Sequence, residues 1–389
     1  MMASLAGFAF AVAVVSGCED AVPSPATPDG GAGAGGTTVG DGGLGDAAND
    51  GDVTLPDAAD AGVAAVIIGI TPSPRASGDA PPGQGEQLDA VLTTFAAGVR
   101  GAMVRRTLSN TGPEAAAELT GVAQRYAANG KQVLFNLALA ERAADGRPAE
   151  LSTLAWDDPV VISAVHDAVD LVLDTFGDSL AYLTFGSEVD IYLTRHPEQR
   201  PDFEALALEA CAYATQHPDA PPALRTGVGF SMSSASAPTL PLTALREAGE
   251  VAAFTYLPGV ADGAAAPTSD VAGALDRMIV LADGRPVVLQ ATGYPSAESA
   301  GGTRDKQRLF FSTLAEALAP RRAAFPFVNV VELNDPAPAA CDSRVSAQGE
   351  APDGPFEGFA CSLGLFDLTG SEKPAWGEVA AIAATFASP

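Results

Sequence analysis

Eight short apolar runs rich in β-formers alternate with eight amphipathic windows along residues 63–389. The runs predict strands, at residues 65–70, 102–107, 132–138, 181–186, 226–231, 251–256, 286–290 and 326–333. The windows predict helices, at residues 85–98, 113–129, 159–176, 202–216, 241–248, 269–282, 304–319 and 373–386. Eight strand–helix repeats predict an α/β fold, the (β/α)8 TIM barrel.

A doubly wound open sheet is the alternative architecture for alternating strands and helices. Such a sheet usually has about five to seven strands and a glycine-rich phosphate-binding turn. No G-x-G-x-x-G or P-loop pattern follows any of the predicted strands. The barrel is therefore the predicted architecture.

Residues 1–17 contain the apolar run Leu5–Val15 and end directly before Cys18. The run is too short to span a membrane and has the length of the apolar core of a signal peptide. Its end, Val-Ser-Gly-Cys, resembles a bacterial lipobox, whose cysteine becomes the lipid-carrying first residue of the mature protein. We therefore expect a signal peptide over residues 1–17 and a lipid anchor on Cys18, with a plain secretory signal as the alternative.

Residues 18–62 are rich in Gly, Ala, Asp, Pro and Thr and contain few large apolar residues. A segment of this kind cannot bury enough apolar surface to offset the entropy that it loses on ordering. We expect a disordered tether that holds the folded domain, residues 63–389, away from a membrane surface. Together with the lipid anchor, this predicts a bacterial cell-envelope protein, either periplasmic or exposed at the cell surface.

The formal net charge of the chain is −27. Binding to the phosphates of nucleic acids needs a basic surface, so this charge argues against a nucleic acid as partner. The sequence shows no zinc-ligand spacing, and its three histidines, His166, His196 and His217, lie far apart. No metal and no cofactor is expected.

Three cysteines remain beyond Cys18. Cys341 and Cys361 lie in one loop-like region near the C-terminus, and an exported protein meets an oxidising compartment. We expect a disulfide between these two residues. Cys211 falls inside a predicted helix and is expected to be a small buried apolar residue.

Two strand ends carry the residues that suggest chemistry. The fourth predicted strand continues into Gly186, Ser187 and Glu188, and the seventh lies in the segment PVVLQATGYPS at residues 286–296. In a barrel the carboxyl ends of the strands form the mouth where substrates bind, so Glu188 should point there. A solvated glutamate at a strand–helix junction is the alternative interpretation.

These segments resemble strands four and seven of the retaining TIM-barrel glycosidases, which read Gly-Asn-Glu and Glu-x-Gly-Tyr/Trp-Pro-Ser. The sequence from Leu363 to Trp376 also resembles the end of that family's domain. The resemblance implies that Glu188 is the general acid/base and that Ser187 stands where an asparagine contacts the sugar. It also implies that Ala291 occupies the position of the nucleophile.

The replacement of the nucleophile bears directly on the reaction. Retaining hydrolysis uses two carboxyl groups about 5–5.5 Å apart, one of which attacks the sugar, and Ala291 has no attacking atom. Glu298 is expected to be an exposed loop charge. Glu332, on the eighth predicted strand, could serve as the base of an inverting arrangement, with carboxyl groups about 6.5–9.5 Å apart. Pairing of Glu332 with an arginine, or capping of the next loop, is the alternative.

The resemblance implies further residues that contact the nucleophile or the sugar, and for each of them a role in packing is the alternative. Arg105 or Arg106 would orient the nucleophile, and alternation along the strand does not decide which of them points inward. Tyr256 would contact the nucleophile, and Tyr294 belongs to the turn after the seventh strand. Trp156, in the loop after the third strand, is a candidate platform for a sugar ring.

The predicted function is that of a glycoside hydrolase-like surface lipoprotein that acts on or recognises a β-linked glycan. Its partners would be an oligo- or polysaccharide and, through the lipid anchor alone, a membrane. The alternative is a non-catalytic carbohydrate-binding or scaffold lipoprotein built on a hydrolase barrel. Ala291 favours the alternative, whereas Glu188 and Tyr256 favour retained chemistry. A barrel with an unrelated activity is the third possibility, because a fold does not fix a function.

Overall fold

The computed structural model describes residues 65–75, 83–232, 243–259, 264–352 and 354–387. All of them belong to one of the two units into which the chain divides, Pro56–Pro389. The predicted signal peptide, the lipid-carrying Cys18 and the predicted tether lie outside the described residues. Within the described part of the chain, no helix is long and apolar enough to cross a membrane.

Eight parallel strands form a closed barrel. They are β1 (Ile67–Ile70), β2 (Gly101–Thr107), β3 (Gln132–Glu141), β4 (Leu180–Ser187), β5 (Arg225–Ser231), β6 (Val251–Tyr256), β7 (Val287–Thr292) and β8 (Phe327–Val330). Each strand pairs with the next along the chain. The barrel closes because β1 also pairs with β8, with Ile67 opposite Phe327 and Ile70 opposite Val330. The predicted TIM barrel is confirmed.

Helices surround the barrel. They are α1 (Gln84–Ala96), α2 (Pro113–Ala128), α3 (Pro159–Phe176), α4 (Val189–Arg195), α5 (Arg200–Gln216), α6 (Thr243–Glu247), α7 (Val271–Ala282), α8 (Arg304–Leu318), α9 (Pro338–Ala347), α10 (Pro355–Ala360) and α11 (Pro374–Phe386). Local chemistry sets some of the starts: the Asp158 side chain accepts a hydrogen bond from the Val160 N–H at 2.8 Å, at the first turn of α3.

The structure corrects several predicted boundaries. Strand β3 continues to Glu141, and Ala144–Asp145 then pairs back on it as a two-residue antiparallel strand. Strand β8 ends at Val330, three residues earlier than predicted. Helices α4, α9 and α10 were not predicted, because the sequence reading followed only the eight main repeats.

The cysteines lie largely as predicted. Cys341 and Cys361 form a disulfide. Their surroundings are helical and not loop-like, because Cys341 lies in α9 and Cys361 directly follows α10. Cys211 is a free, buried residue of α5.

The strands are buried on both faces, which explains why they read as near-continuous apolar runs. Side chains inside the barrel form one cluster, with Met103, Leu134, Tyr182, Val251, Val288 and Phe327. A larger cluster fills the layer between strands and helices, with Val169, Phe203, Phe254, Phe310 and Leu314 among its members. The barrel is therefore a filled core, and only its carboxyl end can hold a ligand.

Gly229 of β5 shows how closely the upper barrel is filled. A Cβ atom on this residue would lie 2.4 Å from Gln290 Nε2 and 2.6 Å from the Gly186 carbonyl oxygen. We expect Gly229→Ala to lower the free energy of unfolding by about 1–3 kcal/mol, the usual cost of an overpacked core. Urea unfolding followed by circular dichroism measures this change.

Gly377→Ala in α11 is the matched control, since a Cβ atom there meets nothing within 4 Å. This variant should gain up to about 1 kcal/mol, because alanine is the better helix former. If Gly229→Ala is as stable as the wild type, the result contradicts the close packing described around Gly229.

Candidate active site

Glu188 is placed by a tight turn at the end of β4. Gly186 has φ +73°, and a Cβ atom on it would lie 2.3 Å from Val189 Cγ2, so the position requires glycine. Glu188 itself has φ +52°, a left-handed conformation that is uncommon for a residue other than glycine. It lies immediately before α4. Non-glycine residues held in this conformation cluster at functional sites, so the turn marks Glu188 as a candidate.

Arg142 is the direct partner of Glu188. Arg142 follows β3, has φ +48°, and donates from Nη1 to Glu188 Oε2 at 3.2 Å. Its guanidinium also lies 3.7 Å from Glu350 Oε1 and 4.9 Å from the centre of the Phe356 ring. Arg142 therefore joins the end of β4 to a segment that follows β8.

Burial dominates the acidity of Glu188, which is only 8% exposed. Burial raises the pKa of Glu188 above its ordinary value, the Arg142 guanidinium opposes this shift, and the Asp190 carboxylate adds to it. A raised pKa is what a carboxyl group needs to donate a proton near neutral pH. Burial therefore favours the protonated form of Glu188 more than it would be favoured in an exposed glutamate.

The structure decides between the two arginines at the end of β2. Arg105 forms an ion pair with Glu141 and lies within electrostatic range of Glu188, so it faces the mouth. Arg106 points away and pairs with Glu118 of α2 at 2.5 Å.

Strand β7 places Ala291 beside Thr255 of β6, where the side chain is 9% exposed. The preceding residue, Gln290, donates from Nε2 to Ser187 Oγ and to Thr255 Oγ1, each at 3.3 Å. This contact crosses the inside of the barrel and brings the ends of β4 and β7 together. The structure therefore juxtaposes the two segments that the sequence singled out, with a methyl group where the resemblance places a nucleophile.

Glu332, just beyond β8, is held by the protein. Its side chain is 3% exposed, and both of its oxygens accept from Arg344 of α9, at 2.5 and 2.9 Å. This two-point pairing fixes the carboxylate. Pairing with an arginine, the alternative to a role as inverting base, is what the structure shows. Glu298 begins a short 3₁₀ helix and is exposed, as expected.

The three aromatic candidates lie in packed surroundings. Trp156 is 1% exposed, its Nε1 donates to Gln199, and the Arg147 guanidinium lies 3.7 Å from the ring centre. The ring also meets Tyr192 and Phe203 edge to face, which leaves no face for a sugar. The expectation of a sugar platform at Trp156 is corrected accordingly.

The tyrosines also contribute to packing. Tyr256 is fully buried, and its ring lies 6.1 Å from that of Phe310. Tyr294 stacks on Phe310 as well, and its hydroxyl donates to the Ala266 carbonyl at 2.9 Å. Both rings therefore pack against Phe310 of α8.

Sequence reasoning missed Glu141, Arg142, Arg344, Glu350 and Phe356. The apolar run of the third strand continues through Ala140, so a longer strand would have carried Glu141 and Arg142 to the mouth. The other three come from the segment after β8, which has no strong periodic pattern. Only the folded structure brings them to the site.

One group of potential metal ligands occurs in the described part of the chain: Cys341, Asp342 and Glu357, whose ligand atoms lie within 4.8 Å of one another. The sulfur of Cys341 is bonded to that of Cys361. A cysteine binds metal as a thiolate, which the disulfide precludes. The expectation that the protein uses no metal stays a prediction.

Comparison with solved structures finds the same barrel fold in glycoside hydrolases. No protein-family model matches the sequence, and no curated protein sequence matches it. A GH5_18 enzyme from Bifidobacterium longum subsp. longum, in complex with Manβ1-4GlcNAc, superposes with a TM-score of 0.63 at 17% identity, over 83% of this chain and 79% of that one.

Two further structures share the fold. A GH5_18 enzyme from Streptomyces cattleya, in complex with GlcNAc, has a TM-score of 0.61 at 18% identity and covers 84% of this chain and 81% of that one. An exo-β-1,4-mannosidase from an Opitutaceae bacterium has a TM-score of 0.58 at 15% identity, over 82% of this chain and 59% of that one. Identities this low establish the shared fold and not a shared activity.

The raised pKa of Glu188 predicts a particular dependence of stability on pH. An unfolded glutamate titrates near about 4.3, so above that pH the native state holds more protons than the unfolded state. The wild type should therefore lose stability as pH rises through the native pKa of Glu188. In Glu188→Gln this loss is absent, so its free energy of unfolding relative to wild type should increase from about pH 4 upward.

Urea unfolding of both proteins between pH 4 and pH 8 measures the difference. Glu316→Gln, at an exposed position of α8, is the control and should run parallel to wild type. If the difference in free energy of unfolding between Glu188→Gln and wild type is the same across this range, the pKa of Glu188 is not raised by burial.

Proposed function

We propose that the barrel mouth binds a β-linked glycan and does not cleave it by the retaining mechanism. The observation that carries this proposal is Ala291, a methyl group at the end of β7, directly after Gln290, whose side chain reaches Ser187 at the end of β4. Retaining hydrolysis needs a second carboxyl group about 5–5.5 Å from the acid, and the β7 position cannot provide it.

The other described carboxylates near the acid are bound by the protein. Glu332 is paired with Arg344. Asp335 lies 2.7 Å from Lys373 Nζ. Asp190 accepts from the Ser231 hydroxyl at 2.5 Å and from the Ser231 N–H at 2.7 Å. Glu141 pairs with Arg105, and Glu350 lies 3.7 Å from Arg142 and 3.6 Å from Arg195. Carboxylates held in this way are poorly placed to attack a sugar or to activate a water, so none of these replaces the missing nucleophile.

Groups for sugar recognition remain at the mouth. Ser187 accepts from Gln290, which leaves its own hydroxyl hydrogen free to donate. Arg105 has a side chain that is 35% exposed, and Glu188 offers a second carboxyl oxygen beyond its contact with Arg142. Donors and an acceptor around one point suit the hydroxyl groups of a pyranose. The ligands of the similar structures, Manβ1-4GlcNAc and GlcNAc, support a β-linked glycan as the ligand class.

Residual hydrolysis is the second candidate function. It is favoured by the raised pKa of Glu188, which burial produces and which suits a proton donor. In that case the attacking group would be a water or a group of the substrate itself, because Ala291 supplies none.

We also propose that the protein is a bacterial envelope lipoprotein, anchored through Cys18 and held off the membrane by residues 18–62. The apolar run, the lipobox-like sequence and the composition of the segment support this proposal. Such an anchor would keep a glycan-binding barrel at the cell envelope.

The function is tested with purified protein and a panel of β-1,4-linked manno-, gluco- and galacto-oligosaccharides that includes Manβ1-4GlcNAc. Calorimetry should show binding by wild type, and mass spectrometry should show no cleavage. Ala291→Glu restores a carboxyl group at the β7 position and should gain hydrolysis, which the added substitution Glu188→Gln should abolish.

Ala291→Gln is the matched control, because it adds the same bulk without a nucleophilic carboxylate, and it should remain inactive. Cleavage by wild type that persists in Glu188→Gln would exclude Glu188 as the acid. Absence of binding to every member of the panel would exclude glycan recognition at this mouth.

A further inference from the structure

The segment after β8 contains α9, α10 and the residues between them, described over 338–352 and 354–360. We call this segment the strap. The disulfide between Cys341 and Cys361 ties its two helices together. Cys341, Val345 and Ala360 form a small apolar cluster of its own, with Phe356 packed against it. The strap is therefore a unit with its own internal connections.

One end of the strap reaches the far side of the barrel. In the ring of eight strands, β8 and β4 are four strands apart, the greatest separation possible. Glu350 of the strap nevertheless lies 3.7 Å from Arg142, which follows β3, and 3.6 Å from Arg195 of α4, which follows β4. The strap thus crosses the carboxyl end of the barrel.

The crossing is in close contact with the far rim. Gly349 has φ +75°, and a Cβ atom on it would lie 2.8 Å from the Ala143 Cβ and 2.9 Å from Arg195 Nη1. No larger residue fits there without displacing the rim or the strap. Phe356 lies under the Arg142 guanidinium at 4.9 Å, which adds a cation–π contact to the same side.

The other end of the strap rests on the loop after β7. A Cβ atom on Gly358 of α10 would lie 2.3 Å from Ser299 Oγ. Phe359 packs with Ala300 and Leu363. Both rims are therefore connected through the strap, and Arg344 ties its middle to Glu332.

The residues at the ends of β4 and β7 are largely buried. Glu188, Ser187 and Ala291 each have less than a tenth of their surface exposed. An internal stretch of a glycan must enter and leave a site on opposite sides, which needs an open groove. A strap that crosses the carboxyl end from β8 to β4 would close such a groove along that line.

We propose that the strap confines binding to the end of a glycan chain, so that a terminal sugar enters beside it and the interior of a chain is excluded. The inference rests on the proposed glycan binding and names its substrate class: short β-linked oligosaccharides and free chain ends. The strap acts by exclusion and takes no part in chemistry.

The test compares forms of one ligand, β-1,4-mannotetraose or the panel tetrasaccharide that binds more tightly. The forms are unmodified, closed at the non-reducing sugar by a 4,6-O-acetal, extended at the reducing end by a bulky linker, and blocked at both ends. Blocking the end that enters should weaken binding to wild type by at least about tenfold, a difference that calorimetry measures easily. The doubly blocked form should not bind.

Two variants loosen the strap by different routes. Glu350→Ala removes its ion pairs with the far rim, and the double substitution Cys341→Ser and Cys361→Ser removes the disulfide. Each should bind the doubly blocked ligand better than wild type does, by several-fold or more. Glu372→Ala, at an exposed position outside the strap, is the control and should behave as wild type. Circular dichroism establishes that each variant is folded.

The outcomes separate the two proposals. Wild type that binds the doubly blocked and the unmodified ligand equally well would overturn the strap proposal and leave glycan binding intact. Wild type that binds no form, and no other panel member, would overturn glycan binding and with it the inference. Even if a variant fails to fold, the binding of blocked and unmodified ligands to wild type still tests the strap proposal.

Discussion

The contact between Arg142 and Glu188 connects the main features of this protein. It joins the ends of β3 and β4, and both residues have a left-handed backbone conformation. The same guanidinium meets Glu350 and Phe356 of the strap. A buried carboxylate that loses its cation is strongly destabilised, so the pair holds the acid and the strap in a defined relation. Glu188 and the strap are thereby connected through the side chain of Arg142.

Contacts between strand ends shape the mouth of the barrel. Gln290 joins the ends of β7 and β4 across the interior, and the turn after β7 is supported by Tyr294. These contacts maintain the mouth whether or not a nucleophile stands at position 291. The proposed glycan binding would use this mouth, whereas retaining hydrolysis would need a second carboxyl group near Glu188.

Much of the fold could be predicted from the sequence, because strands buried on both faces and amphipathic helices leave clear periodic patterns. The place of Glu188 at the end of β4 was also predictable, since a carboxyl group that follows a barrel strand lies at the mouth. The partner of Glu188 could not be found this way. Arg142 reaches it only because β3 is longer than predicted, and pairing across strands is a property of the folded chain.

The strap escaped prediction for a related reason. Its helices α9 and α10 are short and lack a strong apolar stripe, and their contacts with Arg142 and Arg195 join residues far apart in sequence. Trp156 was misjudged because a loop position on the active face does not imply exposure. Its ring is covered by Arg147 and by neighbours from α4 and α5.

A crystal structure of the wild-type protein soaked with an intact β-1,4-linked disaccharide would test the central claim most directly. The account predicts an uncleaved disaccharide whose terminal sugar lies beneath the strap next to Ala291, with its glycosidic oxygen beside Glu188. A cleaved product at this place would contradict the claim, and so would an intact ligand bound outside the mouth.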